Sequence, residues 1–268
     1  MLIPFVKIQA AGFLIVMGLM LITWVFSVIK KNAGIVDVVW GISFVVISVF
    51  YYFNSSGNSL RKFTVLVLII LWGLRLSIHI FFRNRGKGED FRYAAFRKKA
   101  GPARYWWYSF FQVFLLQGFL SALISAPVLG AMINTGRPFP GIFDILGIIL
   151  WTIGFVFETI GDLQLQKFKS DSSNRGKLLT SGLWRYTRHP NYFGDSAVWW
   201  GYACFSLGAG LVAPVYGSLL MTYLLLKVSG VSLLEKTLMA GKAGYEDYQK
   251  STSAFFPWFP GSSTSNDR

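Results

Sequence analysis

Four groups of ionisable side chains lie in or beside apolar stretches of this sequence. A charge at such depth costs at least a few kcal/mol unless it faces protein or a polar cavity. Arg75, His79 and Arg83 recur every four residues, so a helix aligns them on one stripe leading into the most basic loop of the chain. Arg can polarise an oxygen or hold an anion but gives up no proton, whereas His can also transfer one. Glu158 and Asp162 are one helical turn apart, and two carboxylates on one face repel unless solvated or paired. The basic loop that follows them favours a ligand-facing role over a helix end reaching water. Asp37 sits in Val36-Asp37-Val38-Val39-Trp40-Gly41 at the start of another apolar run. It suits a carboxylate favoured by the helix macrodipole and a cavity-lining carboxylate equally well.

The densest group runs from Thr180 to Asp195 and packs Tyr186, Arg188, His189, Asn191 and Tyr192 around Pro190. Pro suits a first helical turn, so this loop leads into a helix. Arg forks pair with phosphates and aromatic rings stack on flat ligands, which gives the loop the composition of a ligand contact. Metal chemistry is not expected. Two histidines, His79 and His189, and one cysteine, Cys204, are too few for an ordinary zinc site and form no CxxC pair.

The elements that must position these groups are membrane helices. The chain has 268 residues, of which 53% are hydrophobic and 14% charged. Soluble domains carry about 25% charged residues. Apolar runs near 8–29, 35–53, 63–82, 108–133, 142–165, 193–208 and 211–230 are each close to the ~20 residues that span a bilayer. The last two are separated by Gly208–Gly210 only and can form a tight pair or a re-entrant hairpin. The fold class predicted is an all-α polytopic bundle of about seven transmembrane helices. Residues 1–260 form its single domain and the Ser-rich 261–268 a disordered tail. Lys7 alone precedes the first run and Lys30-Lys31 close it, which is not a signal-peptide pattern.

With seven crossings, twenty-one Lys and Arg fall on one side and four (Lys7, Arg61, Lys62, Arg137) on the other, with Arg75 inside a helix. That asymmetry predicts the N-terminus out and the C-terminus in the cytoplasm. The net charge of +14 is then read as lipid-facing rather than nucleic-acid-binding. The partners expected are the bilayer and a hydrophobic small molecule, with no nucleic acid and no protein partner.

Gly182-Leu183-Trp184 through Arg188-His189-Pro190-Asn191-Tyr192 resembles the signature shared by membrane steroid 5-alpha-reductases, sterol reductases and isoprenylcysteine carboxyl methyltransferases. Trp72-Gly73-Leu74-Arg75-Leu76 with Gly88-Glu89-Asp90 and Arg92-Tyr93 is similar to the bacterial DUF1295 branch of the steroid 5-alpha-reductase-like proteins. So is the ending Leu234-Glu235-Lys236, Gly244-Tyr245-Glu246-Asp247-Tyr248 and Phe256-Pro257-Trp258-Phe259-Pro260. The resemblance covers nearly the whole chain and implies a bacterial inner membrane.

It also implies a seven-helix fold with NADPH in a cytoplasm-facing cavity. Carried over position by position, Glu158 (Asn in those enzymes) and Asp162 lie on the cofactor helix, and Lys169 stands where they have a phosphate-binding Arg. Tyr186, Asn191 and Asp195 match cofactor-contacting positions, Asp195 replacing a Glu. Arg188, His189 and Tyr192 belong to the shared loop. Glu235, Tyr245 and Tyr248 fall in a segment that closes over the cofactor, and Arg83 leads into the basic loop at 83–107 through which the cofactor would bind. The steroid reductases polarise the substrate carbonyl with a Tyr after a third-helix His and with an earlier Glu. Here Ile80 follows His79, so that Tyr is missing, and Asp37 is the stand-in for the Glu.

The function expected is therefore NAD(P)H-dependent reduction of a C=C bond in a lipid-like enone, with Asp37 or His79 stabilising the enolate oxygen. The same fold and loop also fit a methyltransferase using S-adenosylmethionine. A non-catalytic lipid-binding protein with a relic pocket is the third alternative.

Overall fold

A computed structural model of the chain describes residues 2–134, 137–228, 230–241 and 244–261. The expected disordered tail therefore lies outside the described residues, apart from Gly261. Every regular element is helical, and no strand occurs among the described residues. In chain order the helices are α1 (Leu2–Lys30), α2 (Ile35–Asn54), α3 (Ser59–Asn84), α4 (Phe91–Ala100), α5 (Tyr105–Ile133), α6 (Ile142–Ser170), α7 (Pro190–Gly208), α8 (Ala213–Val228), α9 (Val231–Gly241) and α10 (Tyr245–Ser251).

Five of them, α1, α2, α3, α5 and α6, are long and apolar enough to cross a membrane. Their outward faces carry large apolar side chains such as Leu14, Ile22, Phe63, Leu71, Phe119 and Ile149, which water would penalise and lipid accepts. The protein is thus a multi-pass integral membrane protein. The two C-terminal apolar runs form shorter units: α7 has 19 residues and includes polar positions, and α8 is a 16-residue helix. Part of the stretch read as a loop at 83–107 is helical. Asp90 caps α4 by accepting the Arg92 N–H, and Gly101 closes it at a φ of 81°.

The chain divides into two compact units. The first comprises residues 1–144 and 203–217. Within it, α2 and α3 touch backbone to backbone at Gly41 and Gly73. A Cβ at Gly41 would lie 2.3 Å from the Gly73 carbonyl oxygen, and one at Gly73 would lie 2.7 Å from that of Gly41. Gly12 of α1 instead makes room for the side chains of Tyr51 and Ile47 of α2, and the Tyr51 hydroxyl bonds to Ser125 of α5 at 3.0 Å. A fully buried ion pair ties the start of α3 to the start of α6. Arg61 Nε and Nη2 donate to the two Asp144 carboxylate oxygens at 2.7 and 2.8 Å, and Nη2 also reaches the Pro138 carbonyl at 2.8 Å.

The second unit comprises residues 145–202 and 218–268. Here α6 and α7 run together along glycines. A Cβ at Gly154 would fall 2.5 Å from the Gly194 carbonyl oxygen, and one at Gly194 would fall 2.4 Å from the Glu158 nitrogen. Gly201 meets the Gly147 carbonyl in the same fashion, beside a hydrogen bond of 2.9 Å from Trp151 Nε1 to the Tyr202 hydroxyl. The Ser218 hydroxyl donates to the Trp199 carbonyl at 2.6 Å, which fixes α8 against α7.

Candidate functional site

The close approach of α6 and α7 sets the spacing of the acidic side chains they carry. Glu158 and Asp162 stand one turn apart on α6, and Asp195 lies on α7; all three are buried. Asn191, in the first turn of α7, donates its amide N–H to Asp162 Oδ1 at 3.2 Å. The two carboxylates thus form a buried face and not a helix end reaching water. The preceding loop folds back onto α6. The Leu183 N–H donates to Gln164 Oε1 at 3.0 Å, and Trp184 Nε1 donates to the Gly161 carbonyl at 3.2 Å. Gly182, at a φ of 62°, lets the chain turn against Gln164, where a Cβ would lie 2.4 Å from the amide nitrogen.

A cavity of about 540 Å³ opens beside this turn, lined by Gln164, Lys167, Phe168, Asn174, Ser181 and Gly182 among others. Its lining carries one cation, Lys167, counted in the sequence as part of the basic loop at 166–192, and one acid, Asp171. Lys169, the expected phosphate ligand, is exposed on the last turn of α6.

Arg188 does not point its fork outward. Its Nε and Nη2 donate to Glu235 Oε1 at 2.8 and 2.5 Å, and Nη1 donates to the carbonyls of Gln249, at 3.0 Å, and Thr252. Its backbone N–H donates to the Ser253 carbonyl at 2.9 Å. The neighbouring contacts repeat the theme: Thr187 Oγ1 donates to the Phe255 carbonyl, Trp258 N–H to the Tyr186 carbonyl, and the Tyr248 hydroxyl to the Trp184 carbonyl. Residues 184–188 and 248–258 thereby form one clasp, with α9 joined through Glu235.

His189 is buried in this clasp, stacked on Tyr192 with ring centres 5.6 Å apart and with Nε2 3.4 Å from Glu235 Oε1. Burial pushes its imidazole down to about 4; Glu235 opposes that shift and Arg188 adds to it. The ring is neutral at physiological pH. Tyr245, also buried, sits beside the Arg188–Glu235 pair, and burial raises its phenol above the ordinary value. Tyr186 is partly exposed and packs on Phe259 at 6.1 Å.

The first unit carries Asp37, His79 and Arg83. Asp37, in the first turn of α2, accepts hydrogen bonds from the Tyr93 hydroxyl at 2.5 Å and from Arg92 Nη2 at 2.8 Å. Gln117 of α5 donates to the Tyr93 oxygen at 3.2 Å. A π-helical stretch at Phe110–Leu115 precedes Gln117, and its extra residue per turn shifts the phase of the helix there. Arg75 and His79 are half-buried one turn apart on α3, and Arg83 is exposed with Nε bonded to Asn84 at 3.1 Å. Sequence reading missed Tyr93 as the partner of Asp37 because 56 positions separate them.

A family profile described as "Protein of unknown function (DUF1295)" matches residues 23–252. The chain belongs to the DUF1295 family. An uncharacterized protein of Schizosaccharomyces pombe is 25% identical over 278 aligned positions, spanning 90% of this chain and 77% of the relative. No solved structure matches the chain. The DUF1295 match takes in the Asp37–Tyr93 cluster, the α6–α7 carboxylate face and the Arg188–Glu235 clasp. Twelve of the fifteen candidate residues of this DUF1295 protein, all but Asp37, His79 and Arg83, fall in its second unit.

Proposed function

We propose that this DUF1295 protein is a membrane NAD(P)H-dependent reductase of a polarised C=C bond in a hydrophobic, lipid-like enone. The observation that carries the reading is the buried polar face of the second unit. Glu158, Asp162, Asn191 and Asp195 lie there on two glycine-matched helices of a membrane protein, and further along α6 a separate cavity is lined by Lys167 and Asp171 among others. Carboxylates and amides of this kind suit ribose hydroxyls and a carboxamide, and a lysine at the rim suits a phosphate. The fold is read as seven crossings, counting α7 and α8, with the C-terminus cytoplasmic so that a soluble cofactor reaches the second unit. When bound, NAD(P)H would supply a hydride to the β-carbon of the enone, and a proton from water would complete the reduction at the α-carbon. His79, or Asp37 in its protonated form, is the candidate for stabilising the enolate oxygen in between.

A second reading draws on the same carboxylates. Buried acids favour a cationic ligand, and S-adenosylmethionine is a sulfonium without phosphates. The two readings separate in a stability assay of the detergent-purified protein with NADPH, NADH and S-adenosylmethionine. A ligand that binds the folded state raises apparent stability. A rise with NADPH, lost in Asp162→Ala and Asn191→Ala, supports the reductase. A rise with S-adenosylmethionine alone moves the protein to the methyltransferases. No rise with any of the three removes both readings.

A further inference from the structure

A second cavity, of about 440 Å³, lies in the first unit where α2 begins and α3 ends. Its walls are divided by chemistry. Ile35, Val38, Phe81 and Phe91 are apolar, whereas Asn32, Asn84, Arg85 and Lys87 are polar or cationic. Glu89 and Asp90 also line it, but their charges are already engaged. Glu89 accepts both Arg97 N–H groups, at 2.8 and 2.9 Å, and the Ala33 N–H at 2.8 Å. Burial raises the Glu89 carboxyl, but these bonds outweigh it and hold the group below its ordinary value, so it remains an anion neutralised by Arg97. Asp90 accepts Arg92 Nε at 2.9 Å and the Arg92 N–H at 3.0 Å.

The remaining charges are Arg85 and Lys87, both exposed; among the described residues neither side chain makes a hydrogen bond or ion pair. They flank Gly86 (φ 75°), and Gly86 and Gly88 have no atom within 4 Å of a Cβ position, so the rim between them is open. The lining includes the start of α2, whose N-cap Gly34 supplies no side-chain cap and whose first turn carries Asp37, already held by Arg92 and Tyr93. The size falls within the ~300–1,000 Å³ of small-molecule sites.

We propose that this cavity holds one anionic phospholipid, its phosphate between Arg85 and Lys87 and its glycerol and first methylenes on Ile35, Val38, Phe81 and Phe91. Position selects a lipid over a soluble phosphate. The cavity lies at the ends of two apolar helices long enough to cross the membrane, which is headgroup depth. An Arg fork with a neighbouring Lys matches phosphate oxygens, and a soluble phosphate would leave the apolar wall uncovered.

The test is native mass spectrometry of the full-length protein in detergent, titrated with short-chain phosphatidylglycerol, short-chain phosphatidylcholine and glycerol 3-phosphate. One phosphatidylglycerol is expected to bind about tenfold or more tighter than phosphatidylcholine, with glycerol 3-phosphate weaker than both. The double variant Arg85→Gln/Lys87→Gln should lose that preference by on the order of tenfold. Lys98→Gln/Lys99→Gln, which removes the same charge from the exposed face of α4, should keep it. Val38→Trp, which fills the apolar wall, should weaken both lipids together. Equal losses in the two charge variants would reduce the effect to general surface charge and overturn the proposal. Tight binding of glycerol 3-phosphate, or displacement of the lipid by NADPH, would assign the cavity to a soluble ligand instead.

Discussion

Buried Arg188 and half-buried Glu235 form a pair in which two guanidinium nitrogens converge on one carboxylate oxygen, at 2.8 and 2.5 Å, while the third nitrogen ties down two carbonyls of the C-terminal segment. An arginine that sequence alone offers as a phosphate ligand is instead the hub that holds residues 249–253 to the loop before α7. Removing one partner leaves the other charge with little water to take its place. Arg188→Gln or Glu235→Gln is therefore expected to destabilise the protein by about 3 kcal/mol, and Arg188→Lys, lacking the fork, should recover little. Thermal unfolding in detergent measures the loss, and limited proteolysis should show new cleavage between 245 and 258. Wild-type melting of both Gln variants would remove the hub role.

His189 makes stability depend on pH in a window distinct from that of Glu89. Its folded-state value is lowered to about 4 by burial, with Glu235 opposing and Arg188 assisting, against about 6.5 when unfolded. Between those values the unfolded chain binds a proton that the folded chain does not, so acid favours unfolding. The contribution is full above about pH 6.5, declines as pH falls, and levels off below about 4. Its largest extent is ~3 kcal/mol. Glu89, whose folded value is lowered, acts only below the ordinary carboxylate value of 4.5, so the histidine is read from the difference between wild-type and His189→Asn melting temperatures from pH 7.5 to 5. The wild type should lose stability across that range and His189→Asn should flatten the slope. An unchanged slope in the variant would sink the assignment.

What the sequence made legible is what periodicity and hydropathy encode. The apolar runs became helices, and the i, i+4 carboxylates on α6 became a buried face. Long-range pairing was not legible. Arg61 read as a basic residue outside the membrane, yet it is fully buried against Asp144, 83 positions away. Nothing local marks that choice, because an arginine near a helix start serves water and an ion pair equally. Helix α4 was hidden for a different reason: Phe91–Ala100 has a polar composition and no apolar stripe, and only Asp90 before it and Gly101 after it signal a helix.

The glycine contacts give a test of the packing itself. Gly41→Ala would put a methyl group 2.3 Å from a backbone carbonyl oxygen that cannot rotate away, so α2 and α3 must separate. A loss of about 1–3 kcal/mol or more is expected, as for overpacked cores. Gly18→Ala is the matched control: no atom lies within 4 Å of its Cβ position on α1, so it should be neutral or raise stability by up to ~1 kcal/mol. Paired melts of the two variants decide the point. Equal behaviour would mean that the backbones do not touch as described.

Asp37 has a structural job whatever its chemistry, and the two can be separated. Its carboxylate receives Tyr93 and Arg92, which docks the start of α4 on α2, and Gln117 completes the chain to α5. Tyr93→Phe removes one donor from a part-buried carboxylate while Arg92 remains, so a loss of about 1–2 kcal/mol is expected. Asp37→Asn should cost more, because Arg92 then faces no anion except Asp90. NADPH stabilisation, assigned to the second unit, should survive both variants. If Asp37 only docks helices, reductase turnover at a temperature where both variants are folded should be near wild type. If Asp37 also stabilises the enolate oxygen, as it can only in its protonated form, turnover should fall by more than tenfold in Asp37→Leu with the NADPH response intact. A loss of NADPH binding in either variant would contradict the assignment of the cofactor to α6 and α7.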